Sequence, residues 1–257
     1  MANTPTWLIA RPIAHRGLHD ERRGIVENTL DAAEAAIRRG FAIECDVQLS
    51  ADGEAIVFHD ETLDRLTTAS GAVKERRAAA LAAVPFKIGR AKIPRLRDLL
   101  AKVSGRTPII CEIKSEFDGD TRLADAIVAL AVSYPGPLAI KSFDPFVIAH
   151  LRRLSRNPPP LGIVAEASYD GDYWRALSPA QKSECANFLH YQATRPDFLS
   201  FCVDDLPHPT PFLLRTLRTT PVLAWTVRNA EQRRRATAWA DQSVFEGMET
   251  ANVAKEG

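Results

Sequence analysis

The chain has 257 residues, 46% of them apolar and 25% charged, an ordinary composition for a globular protein with one large core. Its 33 lysines and arginines meet 32 aspartates and glutamates, so the basic excess of a dedicated nucleic-acid binder is missing. No segment reaches the roughly 18 uninterrupted apolar residues of a membrane span, and residues 1–14 lack a basic stretch followed by an apolar run, so neither a spanning helix nor a signal peptide is expected.

Short β-branched runs alternate with helical patterns along the whole chain. The first strand is predicted over 12–15 and the first helix over 28–39. A strand over 42–49 follows, and after the turn Ala51-Asp52-Gly53 a short run over 55–59 pairs back on it as a hairpin. Residues 61–103 exceed what one crossover requires. They read as an insertion after the second strand that ends in the crossover helix. Strands are then predicted over 108–114, 138–142, 161–165, 198–203, 221–227 and 243–246, separated by helices over 122–132, 145–154, 179–189, 211–217 and 230–239. Setting the hairpin run aside, eight strands alternate with helices, the pattern of βαβ units and a parallel sheet. An open doubly wound sheet also fits, but no glycine-rich phosphate loop follows the first strand. The count of eight favours an α/β protein with a (β/α)8 barrel, a single domain over 1–257. Little chain remains after Glu246, so the last helix is expected to be short or missing.

The four cysteines, Cys45, Cys111, Cys185 and Cys202, show no close-paired spacing. Reduced thiols in a cytoplasmic protein are the expectation.

Chemistry concentrates at predicted strand ends. The second strand reads Ile43-Glu44-Cys45-Asp46-Val47, and side chains two apart on a strand share a face. With Cys45 packed outward, Glu44 and Asp46 point together into the barrel. Two buried anions repel, and a hard divalent cation resolves that conflict through carboxylate oxygens. The third strand, Ile110-Cys111-Glu112-Ile113-Lys114, repeats the pattern and adds Glu112 to the carboxylates and Lys114 as a partner for a phosphate oxygen. The first strand ends in His15-Arg16-Gly17, a titratable imidazole beside a guanidinium fork suited to phosphate. His59-Asp60 closes the hairpin run, so two imidazoles bracket the carboxylates, as general acid and general base require. Trp225 and Phe143, at the ends of later strands, either wall a substrate pocket or pack in the core. His19, His150, His190 and His208 lack such surroundings.

With these residues in view, the chain resembles the glycerophosphodiester phosphodiesterase family. The match rests on His15-Arg16-Gly17, Glu27-Asn28-Thr29, Glu44-Cys45-Asp46-Val47, the run from His59-Asp60 through Arg65 to Thr67, Gly71, Ile93-Pro94-Arg95-Leu96 and Glu112-Ile113-Lys114. Beyond Lys114 it thins to Ser142-Phe143-Asp144-Pro145 and Trp225-Thr226-Val227. The resemblance implies a (β/α)8 barrel with a small insertion after the second strand. It implies Mg²⁺ or Ca²⁺ held by Glu44, Asp46 and Glu112, His15 and His59 as the acid–base pair, and Arg16 and Lys114 on the phosphate. The implied reaction cleaves a small-molecule glycerophosphodiester to glycerol 3-phosphate and an alcohol. Two other readings stay open: a lysophospholipase D or sphingomyelinase D-like hydrolase on the same site, and a barrel that binds a phosphorylated polyol without catalysis. Val244-Phe245-Glu246-Gly247-Met248 departs from the Thr-Asp and nearby Pro that similar proteins carry at this point.

Overall fold

The computed structural model describes residues 5–154 and 157–247. The strands are β1 (Ile13–Ala14), β2 (Ala42–Leu49), β3 (Ala55–Val57), β4 (Ile109–Ile113), β5 (Leu138–Ser142), β6 (Leu161–Ala165), β7 (Phe198–Cys202), β8 (Val222–Val227) and β9 (Gln242–Phe245). The helices are α1 (Leu30–Arg38), α2 (Ala78–Ala83), α3 (Leu96–Val103), α4 (Arg122–Ser133), α5 (Pro145–Leu154), α6 (Pro179–Ala186), α7 (Tyr191–Thr194), α8 (Pro209–Arg218) and α9 (Ala230–Trp239).

The strand order is β1-β9-β8-β7-β6-β5-β4-β2-β3, and a further β1–β2 pairing closes the sheet on itself. Among the described residues, only β3 stands outside the ring, antiparallel on β2 with Val47 opposite Val57. This is the (β/α)8 topology, the eight parallel strands being β1, β2 and β4 to β9. The strands that join it are near-continuous apolar runs because both faces are covered. Ile13, Ile43, Ile109, Ile140, Leu161, Leu199 and Leu223 are all 1% exposed or less.

The chain divides into two compact units, each with its own packing. One comprises Ile13–Lys114 and Asp120–Ala139, the other the described residues of 5–12, Ser115–Gly119, 140–154 and 157–247. Within the first, residues after β3 form a small core of their own, with Leu63, Leu66, Val73, Leu81 and Phe86 packed on Val26, Ile56 and Phe58.

Helix edges follow local chemistry that periodicity does not register. The first helix starts at Leu30 instead of residue 28, because Asn28 takes a left-handed φ of 56° and Thr29 caps the helix by accepting from the Ala32 N–H. The helix expected to run to residue 189 stops at Ala186, and Phe188 turns the chain with a φ of 55°. The helices α2 and α7 have no counterpart among the predicted elements. The cysteines among these residues are free, and Cys45 and Cys111 sit opposite each other across the β2–β4 ladder. No helix among the described residues is long and apolar enough to cross a membrane. Of the divergent end, Val244 and Phe245 lie in β9, whereas Met248 falls outside the described residues.

Candidate active site

The turn after β1 is tightly specified. Arg16 and Gly17 both have left-handed φ, 57° and 76°. A Cβ on Gly17 would stand 2.8 Å from the Ala32 Cβ, closer than two carbons pack, so glycine is required there. Arg16 is pinned from two sides. Its backbone N–H donates to Glu44 Oε2 at 3.1 Å, and its carbonyl accepts from the Asn28 N–H at 2.8 Å. The neighbouring His15 brings Nε2 to 4.0 Å from Glu44 Oε2.

Glu44 and Asp46 lie on one face of β2, buried to 0% and 1% exposure. Glu112 on β4 is 5% exposed and stands directly opposite Asp46 in the parallel ladder. One carboxylate oxygen from each of the three lies within 4.8 Å of the other two. An all-oxygen donor set of this kind fits Mg²⁺ or Ca²⁺, both of which take carboxylate ligands. The expected convergence of Glu44, Asp46 and Glu112 is therefore what the strands produce.

Basic groups surround the carboxylates. Lys114 Nζ is 2.9 Å from Asp46 Oδ1 and 2.6 Å from Glu112 Oε1, and Arg16 Nε is 3.3 Å from Asp46 Oδ2. Asn28 closes the arrangement: its Nδ2 donates to Asp46 Oδ2 at 2.9 Å, and its Oδ1 accepts from the Asp46 backbone at 3.2 Å. Burial alone would raise the Asp46 carboxyl. Lys114, His59, Arg16 and His15 outweigh it and hold the group well below the usual carboxylate range. That balance places both imidazoles within electrostatic reach of one carboxylate.

A second layer of charge runs outward from Arg16. Its Nη1 donates to Glu27 Oε1 at 2.7 Å, and Arg65 Nη2 donates to the same oxygen at 2.7 Å. Arg65 also reaches Asp60, whose Oδ1 lies 2.7 Å from His59 Nδ1. In this network five carboxylates, Glu27, Glu44, Asp46, Asp60 and Glu112, face three permanent cations, Arg16, Arg65 and Lys114. Glu27, Asn28, Asp60 and Arg65 received no role from sequence. The signal was there, since all four fall within the motifs Glu27-Asn28-Thr29 and His59-Asp60 to Thr67, but their partners are distant in the chain.

Phe143 and Trp225 belong to the other unit, at the ends of β5 and β8. Both are half-buried, and their rings meet edge to face with centroids 5.5 Å apart. Trp225 Nε1 donates to the Ser200 carbonyl at 2.8 Å, and Phe143 also contacts Trp174 at 4.9 Å. Trp174 donates in turn to Glu166, whose carboxyl is pushed up by burial and by the nearby Asp205. Of the histidines left without a role, His190 is buried beside Thr194, and burial lowers its pKa to about 4, so it is a neutral packing residue.

A glycerophosphodiester phosphodiesterase of Caldanaerobacter subterraneus subsp. tengcongensis is 47% identical over 64 residues, which are 24% of this chain and 25% of that protein. This match thus spans only about a quarter of the relative's length. Among solved structures, a candidate glycerophosphoryl diester phosphodiesterase from Silicibacter pomeroyi superposes with a TM-score of 0.71 at 25% identity, covering 91% of this chain and 89% of the other. An Oleispira antarctica phosphodiesterase, solved with the product sn-glycerol-3-phosphate, has the same fold at 20% identity, with a TM-score of 0.72 and 93% of each chain covered. The glycerophosphoryl diester phosphodiesterase family model matches residues 15–247, from the histidine that ends the first strand to the glycine after the last. The chain belongs to the glycerophosphoryl diester phosphodiesterase family.

Proposed function

We propose that this chain hydrolyses glycerophosphodiesters to glycerol 3-phosphate and an alcohol, with Mg²⁺ or Ca²⁺ held by Glu44, Asp46 and Glu112 and with His15 and His59 as the acid–base pair. The observation that carries the reading is the buried convergence of the three carboxylates beside His15, Arg16 and Lys114. The product bound by the Oleispira antarctica protein supports the choice of substrate class.

When bound, the cation supplies Lewis acidity, polarising a phosphoryl oxygen and lowering the pKa of the glycerol 2-hydroxyl. His59 takes the proton from that hydroxyl as it attacks phosphorus, and His15 protonates the departing alcohol oxygen. The two imidazoles exchange roles when water opens the cyclic phosphate. Arg16 and Lys114 neutralise charge that grows on the phosphoryl oxygens, from positions already fixed by Glu27, Asp46 and Glu112. Phe143 and Trp225 are assigned to the carbon part of the substrate, as half-buried rings at strand ends.

The test measures release of glycerol 3-phosphate from glycerophosphocholine, with Mg²⁺, with Ca²⁺ and in chelator. Metal-dependent release that disappears in Asp46→Ala supports the reading. Release undiminished in chelator removes the metal from it. Turnover only of lysophospholipids or sphingomyelin would reassign the substrate. Tight binding of glycerol 3-phosphate with no turnover of any diester would make the barrel a binder.

A further inference from the structure

His59 closes a chain of contacts that runs into the segment after β3. Asp60 Oδ1 lies 2.7 Å from His59 Nδ1. An ionised carboxylate only accepts hydrogen bonds, so His59 Nδ1 is the donor in this pair, and Nε2 is the ring nitrogen left to exchange a proton with substrate. What keeps Asp60 ionised and aimed is Arg65. Its Nε donates to Asp60 Oδ2 at 2.6 Å and its Nη2 to Asp60 Oδ1 at 2.9 Å, a side-on fork. The far edge of the same guanidinium donates to Glu27, Nη2 to Oε1 at 2.7 Å and Nη1 to Oε2 at 3.0 Å. Burial opposes ionisation of Asp60, and the hydrogen bonds from His59 and Arg65 overcome it, holding the carboxyl far below its ordinary value.

The backbone around this fork is fixed independently. Gln48 Nε2, reaching out from β2, donates to the Phe58 carbonyl at 2.9 Å and the Asp60 carbonyl at 2.6 Å, which clamps the His59-Asp60 segment. On either side of Arg65, Leu63 and Leu66 are 0% and 7% exposed in the small core behind β3. The insertion therefore holds Arg65 by its neighbours while the arginine side chain, 45% exposed, spans two acids. Lysine cannot replace it, because an ammonium has no planar fork to serve four carboxylate oxygens at once.

We infer that Arg65 is a positioning residue for the reaction: held in place by Glu27, it locks the His59-Asp60 pair in the orientation a general base needs. This also gives the insertion a purpose, as the frame that carries Arg65. The inference rests on the proposed phosphodiesterase reading with His59 as a catalytic residue.

The experiment compares kcat and KM for glycerophosphocholine hydrolysis in wild type, Arg65→Ala, Arg65→Lys, Asp60→Asn, the Asp60→Asn/Arg65→Ala double variant and His59→Ala, with Tm measured for each. Loss of Arg65 is expected to lower kcat roughly 10- to 100-fold, the range for residues that orient a functional group from behind. KM should change little, and the lysine variant should not restore kcat. Because Arg65 acts through Asp60, the double variant should be no slower than Asp60→Asn alone. Methylguanidinium added to Arg65→Ala should recover part of kcat, since the half-exposed position leaves a path in. Full kcat in Arg65→Ala, full rescue by lysine, or losses that multiply in the double variant would each overturn the inference. If Arg65→Ala does not fold, Arg65→Lys decides: wild-type kcat overturns the inference, and a lowered kcat at near-native Tm supports it. His59→Ala with undiminished turnover would instead sink the underlying reading and leave the Arg65 contacts merely structural.

Discussion

Replacing Glu44 by Gln tests the shared-cation reading most directly. Glu44 is 0% exposed, and its charge sits within 4.8 Å of the nearest oxygens of both Asp46 and Glu112. At that separation and an effective dielectric of 20, each pair of like charges costs about 3.5 kcal/mol. The substitution removes two of the three repulsive pairs and keeps an oxygen that accepts the Arg16 N–H. The metal-free variant is therefore expected to melt at or above the wild-type temperature, once the lost attraction to Arg16 is set against the relieved repulsion. The response to metal is expected to go the other way. For the wild type, a hundredfold excess of cation over its Kd stabilises the fold by about 2.7 kcal/mol. In a chain of this size that raises Tm by roughly 5–11 °C. Glu44→Gln should lose most of that shift. Scanning calorimetry in chelator, then with Mg²⁺ or Ca²⁺, reads both effects. A wild-type Tm that neither ion moves, or a full shift retained in Glu44→Gln, would refute the reasoning.

His15→Ala and His59→Ala should each lower kcat by roughly 10²–10⁴ while leaving the metal-induced rise in Tm in place, as checked by kinetics and melting on the same samples. Asn28→Ala removes both contacts to Asp46 and places alanine at a φ of 56°, so it should cost roughly 2–3 kcal/mol in urea unfolding. Acid should weaken the fold through Asp60 and Glu27. Burial raises both carboxyls, but hydrogen bonds from His59 and Arg65 to Asp60, and from Arg65 and Arg16 to Glu27, lower them further. Groups depressed in the folded state stabilise it above their unfolded pKa values, near 4, and lose that contribution as pH falls through the folded values. Urea midpoints in metal-free buffer should thus decline steadily below about pH 4.5. A midpoint unchanged down to pH 3 would contradict the assignment.

The sequence by itself determined the alternation of strands and helices and which acids share a face, while closure into a barrel came from the β1–β2 pairing. Strand alternation needs no tertiary information to put Glu44 and Asp46 on one side and Cys45 on the other, and the same holds for Glu112 against Cys111. Eight apolar runs spaced by helical patterns likewise specify a parallel sheet, because both faces of each strand must be buried. Only the tertiary structure decided which side chains hold those acids in place. Asn28 reaches Asp46 because a left-handed turn, invisible to periodicity, folds the chain before α1 back over the turn after β1. Arg65 meets Glu27 across 38 residues of sequence, and neither residue's type announces the other. The sequence suggests Lys114 and Arg16 as phosphate partners, and the folded chain rests both on acids, Asp46, Glu112 and Glu27, since buried acids draw in the nearest cations. Local periodicity fixes a residue's direction within its element. Its partner depends on loops closing over long stretches of chain, and only the packed fold sets that.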